Sequence, residues 1–322
     1  MIENNRPLVT FALFAYNQEK YIRDAVQSAL EQDYSPLEII ISDDCSEDQT
    51  FEIIKETVKC YHGPHKIILN KNKNNLGVGA HVNLIMQISA GKFIVAAAGD
   101  DISFPYRVKK LIDKFEEDGS LAYSVWSSAK YINNLGAVLE EKFISAVKHN
   151  DVSIIKNINP VIGATHAWRR EVFEFFGPLS PGIVFEDNAI SFRSYLLGGI
   201  DYIDEELVKY RRHDSNLTNF SRNMSLRTTY NRAYCRGVAK GIGLVQRLKD
   251  LEKFGKEQKN INNTMIKNLN KEIKKNDTLI EIYQNFPKFK FKNIHLLFLN
   301  LEVIKVFIRC ITYKIFGDKF IF

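Results

Sequence analysis

The chain has 322 residues, long for one ordinary domain and suited to a large α/β domain with an appendage. Apolar residues make up 45% and charged residues 25%, a composition that excludes a disordered chain. The net charge of +6 is unevenly spread: residues 223–322 hold 20 Lys and Arg against 8 Asp and Glu, whereas the first 222 residues are net acidic. A basic second segment of this kind points to an anionic partner, nucleic acid or acidic lipid.

Cys45, Cys60, Cys235 and Cys310 are far apart and form no CxxC pair, so free thiols in a reducing compartment are expected rather than a zinc site or a disulfide framework. The opening MIENNRPLVTFALFAYNQ lacks a basic segment followed by a long apolar stretch, and no signal peptide is expected. No run approaches the ~20 apolar residues that a spanning helix needs.

Leu8–Ala15 is an apolar, β-prone run ending at Tyr16-Asn17. Gln18–Gln32 follows with Tyr21, Ile22, Ala25, Val26 and Leu30 at helical spacing. Leu37–Ile41 predicts a short buried strand closed by Ser42-Asp43-Asp44-Cys45-Ser46, and Ser46 or Asp48 is placed to cap a helix over Gln49–Cys60. Lys66–Leu69 predicts a third strand, Asn70–Gly79 a loop, Ala80–Ser89 a helix and Phe93–Ala98 a fourth strand ending in Gly99-Asp100-Asp101. Such alternation implies a mostly parallel sheet covered on both faces, with ligands gathering beyond the carboxyl ends of its strands. From about Leu121 to Asn219 the pattern loosens into short strands at Ala122–Ser127 and Leu207–Tyr210 and a helix near Asp187–Leu197. Beyond Ser221 the chain reads as helical and Lys/Asn-rich, with a boundary near Arg222; Asn293–Phe316 reads as a basic amphipathic helix.

Clustered carboxylates repel one another unless a cation or hydrogen-bond donors compensate. Helix capping and turn formation account for Asp43-Asp44 as one reading. Asp100-Asp101 is harder to explain so, because it closes an unbroken apolar strand (FIVAAAG) whose small residues leave room for a ligand. A hard divalent cation with a diphosphate suits carboxylate oxygens there. Glu186-Asp187 opens a helix after the turn Pro178–Gly182, where capping alone would need one carboxylate. Tyr210-Arg211-Arg212-His213 gathers cationic groups suited to phosphate, or is a solvated basic loop.

Taken together, six blocks resemble the family-2 glycosyltransferases of the GT-A fold, of the bacterial surface-polysaccharide kind. They are Val9-Thr10-Phe11-Ala12-Leu13-Phe14-Ala15-Tyr16-Asn17 with Tyr21-Ile22; Glu38 through Asp48; Asn74-Asn75-Leu76-Gly77; Gly99-Asp100-Asp101; Glu186-Asp187; and Tyr210-Arg211-Arg212-His213. The resemblance covers about residues 7–219 and implies a GT-A catalytic domain, which with the boundary near Arg222 spans 1–222, while the basic helical region takes 223–322. It implies that Ala15, Tyr16 and Asn17 lie at the nucleotide-base contact, that Asp43 or Asp44 hydrogen-bonds the base, usually uracil, and that Gly77 lies in the donor site. Asp100 matches the second acid of the DxD element, which holds Mn²⁺ or Mg²⁺ on the donor diphosphate; Ala98 replaces the first acid. Asp101 is expected on sugar or acceptor, Asp187 as catalytic base with Glu186 beside it, Arg211 and Arg212 at the leaving diphosphate, and His213 at metal or diphosphate. The implied activity is inverting transfer from a nucleotide sugar, with UDP the expected nucleotide, to a saccharide acceptor that is lipid-linked.

Other classes fit less well. A dinucleotide oxidoreductase needs GxGxxG at the first strand–helix turn, which here reads Ala15-Tyr16-Asn17-Gln18-Glu19. A nucleotidyltransferase needs a Gly-rich basic first loop, which is lacking. A catalytically degenerate sugar-binding or interaction protein is the main alternative, favoured by Ala98 and opposed by Asp100 and Asp187. For the tail, aromatics interleaved with aliphatics favour a membrane surface over nucleic acid, placing the protein on the inner face of the cell membrane. A helix that packs on the catalytic domain or on a second subunit is the other reading.

Overall fold

A computed structural model describes residues 6–141, 149–157, 161–213, 226–259 and 262–284. The chain divides into two compact units, Met1–Asn219 and Phe220–Phe322.

The first unit opens with the alternation expected from its apolar runs: β1 (Val9–Ala15), α1 (Ile22–Leu30), β2 (Leu37–Asp43), α2 (Thr50–Lys59), β3 (Lys66–Lys71), α3 (Val78–Ile88) and β4 (Phe93–Ala98). It continues with β5 (Ile102–Ser103), α4 (Arg107–Phe115), β6 (Ser124–Ile132), α5 (Asp151–Lys156), a 3₁₀ turn (Gly163–Thr165), β7 (His166–Arg169), α6 (Glu171–Phe176), α7 (Glu186–Leu197) and β8 (Ile200–Arg211). The eight strands form one sheet in the order β3-β2-β1-β4-β7-β6-β8-β5. Strands β1 to β4 pair in parallel, as do β6 and β8; β7 joins β4 to β6 antiparallel, and β5 runs antiparallel to β8. Strands β1, β2 and β4 are buried along nearly their whole length and are mostly apolar, because helices cover both faces of the sheet. Phe11, Leu13, Ile39, Ile41, Phe93 and Val95 meet Ile22, Val26, Leu111 and Phe115 of α1 and α4 in one core.

Strands β6 and β8 are much longer than Ala122–Ser127 and Leu207–Tyr210. Their apolar residues are interrupted by Lys130 on one strand and by Asp201, Asp204, Glu205 and Glu206 on the other, which hid the ladder in the sequence. The register also shifts between Ser127 and Ala129, where Ser127 faces Ile203, Ser128 faces Glu206 and Ala129 faces Val208. Helix α1 starts at Ile22 rather than Gln18. The amides of Gln18 and Glu19 donate instead to Thr50 Oγ1 and Asp48 Oδ2, so this stretch forms a turn fixed to the start of α2. Asp48 also accepts from Thr50 N, at 2.9 Å, and holds the first turn of α2. Ser46 takes a different part, described below.

In the second unit, α8 (Leu226–Glu257) and α9 (Asn263–Gln284) pack on each other. They approach closely at Gly237, whose carbonyl accepts from Asn276 Nδ2 at 2.8 Å and where a Cβ would lie 2.9 Å from Ile280. No helix among the described residues is long and apolar enough to cross a membrane. The boundary near Arg222 and the amphipathic stretch 293–316 lie outside the described residues.

Candidate active site

The carboxyl ends of β1, β2 and β4 lie side by side, because Ala15 pairs with Asp43 and Phe14 with Ala98. Asp43 is fully buried, and its carboxylate accepts from the amide of Ser46 at 3.0 Å and from the Ser46 hydroxyl. The same hydroxyl oxygen accepts from Asn17 N at 2.8 Å, and Asn17 Oδ1 accepts from Glu47 N at 2.9 Å. Ser46 and Asn17 thus stitch the turn after β1 to the turn after β2, and Tyr16 is left nearly half exposed above them (45%).

Asp44 holds a different loop. Its amide donates to Ala15 O, and its carboxylate accepts from Asn72 Nδ2 and Leu76 N, both at 2.8 Å, and from Gly77 N at 2.9 Å. Gly77 turns there with φ +74°, a left-handed conformation that a side chain disfavours. An ionised carboxylate offers about four acceptor positions, and three of those on Asp44 are taken within the described protein.

Asp100 and Asp101 follow Gly99, which is packed so closely on Gln18, Ile22 and Ala15 that a Cβ would lie 2.3 Å from Gln18 Oε1. His213 Nε2 lies 2.9 Å from Asp100 Oδ2. Asp101 Oδ1 accepts from Arg211 N at 2.7 Å. Burial and the neighbouring charge of Asp100 push the Asp101 carboxyl well above its ordinary range, against the opposing pull of that amide and of Arg107 and Arg211. Arg211 is itself buried. Its Nε donates to Asp100 O at 2.8 Å, its terminal nitrogens reach Asn133 O, Asn134 O and Asp24 Oδ2, and its guanidinium lies over the Tyr21 ring. The ring of His213 packs on the same tyrosine, 4.8 Å between centroids.

Glu186 and Asp187 begin α7 against the 3₁₀ turn. A Cβ on Gly163 would lie 2.9 Å from Glu186 Oε1 and 3.8 Å from Asp187 Oδ2, so the carboxyl pair rests on bare backbone. Asp187 Oδ1 accepts from Asn188 N at 2.7 Å. Glu186 is half-buried as a residue, and its carboxyl is enclosed. Burial, and then the charge of Asp187, raise its pKa to about 8.

Residues 10–176 match the family described as glycosyl transferase family 2. The chain belongs to that family. It is 28% identical over 333 residues to an uncharacterized glycosyltransferase of Haemophilus influenzae, with 96% of this chain and 98% of that protein aligned. In fold it is similar to residues 1–349 of S. aureus TarS, solved in complex with UDP-GlcNAc (TM-score 0.54, 16% identity, 96% of this chain and 81% of that one). It is likewise similar to the mannosyltransferase PcManGT from Pyrobaculum calidifontis, solved with GDP-Man and Mn²⁺ (TM-score 0.55, 14% identity, 98% and 89%). The eight-stranded sheet with its helices is a GT-A fold.

Within this glycosyltransferase the expected site residues fall into three sets. Ala15, Tyr16, Asn17, Asp44 and Gly77 meet at the ends of β1 and β2; Asp100, Asp101, Arg211 and His213 meet at the end of β4; Glu186 and Asp187 sit on the 3₁₀ turn. Asp43 and Arg211 spend their side chains on the protein itself. Arg212 turns to Glu141 and to the Tyr131 ring, its guanidinium carbon 3.7 Å from the ring centroid. Most of the stretch from Arg212 to Phe220 lies outside the described residues.

Arg107 was not anticipated. It is completely buried and donates to Ala96 O at 2.6 Å, Ala164 O at 2.8 Å and Ser103 Oγ at 2.9 Å, so it joins β4 to the turn that backs Glu186 and Asp187. Burial pushes its pKa down to about 9, against the pull of Asp101. Its signal in the sequence is an arginine on the same helical stripe as Leu111 and Phe115.

The Glu186 shift has a consequence for pH. Between its ordinary value of 4.5 and about 8, the folded state keeps a proton that the unfolded chain has released. This group's contribution to stability is therefore complete below pH 4.5 and is lost as pH rises toward 8. Glu186→Gln has no proton to lose, so its Tm relative to the wild type should climb between pH 5 and pH 8.5. A difference that stays constant across thermal scans at those pH values would contradict the assignment.

Proposed function

We propose that this glycosyltransferase moves a sugar from a nucleoside-diphosphate donor, with UDP the expected nucleotide, to a hydroxyl of a saccharide acceptor, with inversion at the anomeric carbon. The observation that carries the proposal is the Asp100–His213 pair, 2.9 Å apart at the carboxyl end of β4. A carboxylate oxygen and an imidazole nitrogen are donors that Mn²⁺ accepts, and Asp100 alone also suits Mg²⁺. No three His, Cys, Asp or Glu side chains converge on one point among the described residues, so a cation here would draw further ligands from the donor diphosphate. The PcManGT complex with GDP-Man and Mn²⁺ supports this reading. Held there by Asp100 and His213, such a cation would supply neutralisation of the charge that builds on the departing diphosphate.

The chain's own residues supply the rest. Tyr16 presents an exposed ring beside the Asp44 loop, and the remaining acceptor position on Asp44 suits an N–H of the base. Glu186, neutral near physiological pH, leaves the carboxyl pair with one negative charge, on Asp187. Asp187 takes the proton of the acceptor hydroxyl as that oxygen attacks the anomeric carbon. The bond to the diphosphate oxygen breaks on the opposite face, and one displacement inverts the centre. Arg211 contributes by fixing Asp100 and Asp101 rather than by touching the donor.

The test begins with a thermal-shift screen of nucleotide sugars with and without Mn²⁺, since a donor that binds the native state raises its apparent stability. With the donor so chosen, Asp187→Asn should lower turnover by about 10²- to 10⁴-fold while leaving donor affinity nearly unchanged. Asp100→Asn should remove the Mn²⁺-dependent part of donor binding. Full turnover in Asp187→Asn would overturn the base assignment. Mn²⁺-dependent binding that survives in Asp100→Asn would overturn the metal assignment.

The proposal extends to location. Residues 223–322 carry 20 basic and 8 acidic side chains, and a basic segment near an anionic leaflet gains about 1 kcal/mol per Lys or Arg. This would hold the enzyme at the inner face of the membrane, near a lipid-linked acceptor for surface-polysaccharide assembly. The apolar stripe of the amphipathic stretch 293–316 adds burial in the headgroup region, so the protein should co-sediment with vesicles containing phosphatidylglycerol, weakly with neutral vesicles, and not after deletion of 293–322. Vesicle binding that survives the deletion would rule the tail out, and loss of a dimer on deletion would favour packing between subunits.

A further inference from the structure

The donor-base end of the site and the carboxyl pair are built on different segments, and one seam joins them. Helix α3 starts directly after Gly77, which Asp44 holds, and runs beside the turn Pro178–Gly182 that leads into Glu186. Gly79 N donates to Ile183 O at 3.0 Å. A Cβ on Gly79 would lie 2.7 Å from that carbonyl oxygen, inside any real contact, so the backbones meet only because residue 79 has no side chain. One turn on, the Asn83 side chain pairs with the backbone of Leu179 in both directions. Leu179 N donates to Asn83 Oδ1 at 2.8 Å, and Asn83 Nδ2 donates to Leu179 O at 2.9 Å. The turn is gripped from its other side by Arg193 of α7, fully buried, which donates to Gly177 O at 2.7 Å and Pro178 O at 3.3 Å.

We infer that Asn83 and Gly79 are positioning residues for the carboxyl pair: they fix the 177–183 turn, and through it the place of Glu186 and Asp187 relative to the donor, without touching substrate. An amide side chain suits the task because it matches a peptide group with one donor and one acceptor, whereas Ala offers neither and Asp only the acceptor. Misplacement of a catalytic group by about 1 Å is enough to cost on the order of 10²-fold in rate, so a seam of three hydrogen bonds controls turnover more than affinity. The inference rests on the reading of Asp187 as the base.

The test uses the full-length protein. Hydrogen exchange at the amides of residues 183–191 should quicken at least several-fold in Asn83→Ala, while amides of β1 and β2 keep their wild-type protection. With the donor chosen by the thermal-shift screen, kcat should fall by about 10- to 100-fold, with KM for the donor within about twofold. Asn83→Asp, which keeps the bond from Leu179 N, should lie between Ala and wild type. Gly79→Ala, which pushes on the same turn without removing the amide, should repeat the pattern if Asn83→Ala folds poorly. Unchanged exchange and unchanged kcat in these variants, with Asp187→Asn impaired, would overturn the seam alone. Wild-type turnover in Asp187→Asn would overturn the base reading instead, and the exchange result would still decide whether the seam holds the turn.

Discussion

A buried guanidinium holds the first unit together where its candidate site is built. Removing a cation from water is costly unless partners replace the lost solvation. Arg107 finds them in two backbone carbonyls from separate segments, Ala96 on β4 and Ala164 on the 3₁₀ turn, and in the hydroxyl of Ser103 on β5. Those partners sit beside the two places where the chemistry is assigned. The acid pair follows β4 by two residues, and Gly163, against which Glu186 and Asp187 rest, directly precedes Ala164. Truncating Arg107 would leave two carbonyls without their donor, at a typical cost of about 1–3 kcal/mol for each buried group left unsatisfied.

The carboxylates at the open end of the sheet illustrate how one residue type is steered to different work by its donors. Asp43 is closed off by Ser46. Asp44 is mostly occupied by backbone amides of the 72–77 loop but retains acceptor capacity. Asp100 meets a histidine, and Asp101 a backbone amide. Glu186 is enclosed beside its neighbour's charge; together these outweigh the backbone amides of Glu186 and Asp187, and it responds by keeping its proton. Opposing environments for adjacent titratable groups separate their protonation states, which lets a pair carry a single charge.

Much of this was readable in the sequence where periodicity was strong. Phe93–Ala98 is the strand its apolar run described, and the Asp pairs fall at or just beyond strand ends because alternating β and α segments leave their loops there. The reading weakened where polar residues interrupt a buried ladder, as Glu205 and Glu206 do in β8. It also missed contacts between segments distant in sequence, such as Asn83 with Leu179, since nothing local marks an amide as a partner for a backbone almost a hundred residues away. Arg211 shows the same difficulty. Beside Arg212 in a basic cluster it reads as a phosphate ligand, and only the fold reveals that one arginine points inward and the next outward.

That alternation has a consequence for how the chain can vary. Successive residues of a strand face opposite sides, so a shift of one residue exchanges every inward side chain for an outward one. Arg211 is placed by pairing opposite Ile132, and the irregularity at Ser127–Ala129 takes up the extra residues of β8 before that point. An insertion or deletion upstream of the irregularity, in the 200–203 stretch, has somewhere to be absorbed. A one-residue deletion between Val208 and Arg211 has none: it would turn the buried arginine away from its partners, bring Arg212 into its place and carry His213 one position back from Asp100, and an insertion would push the arginine past its place opposite Ile132. Length variation among descendants of this sequence should therefore be permitted at the start of β8 and forbidden over its last four residues, whatever amino acids occupy them.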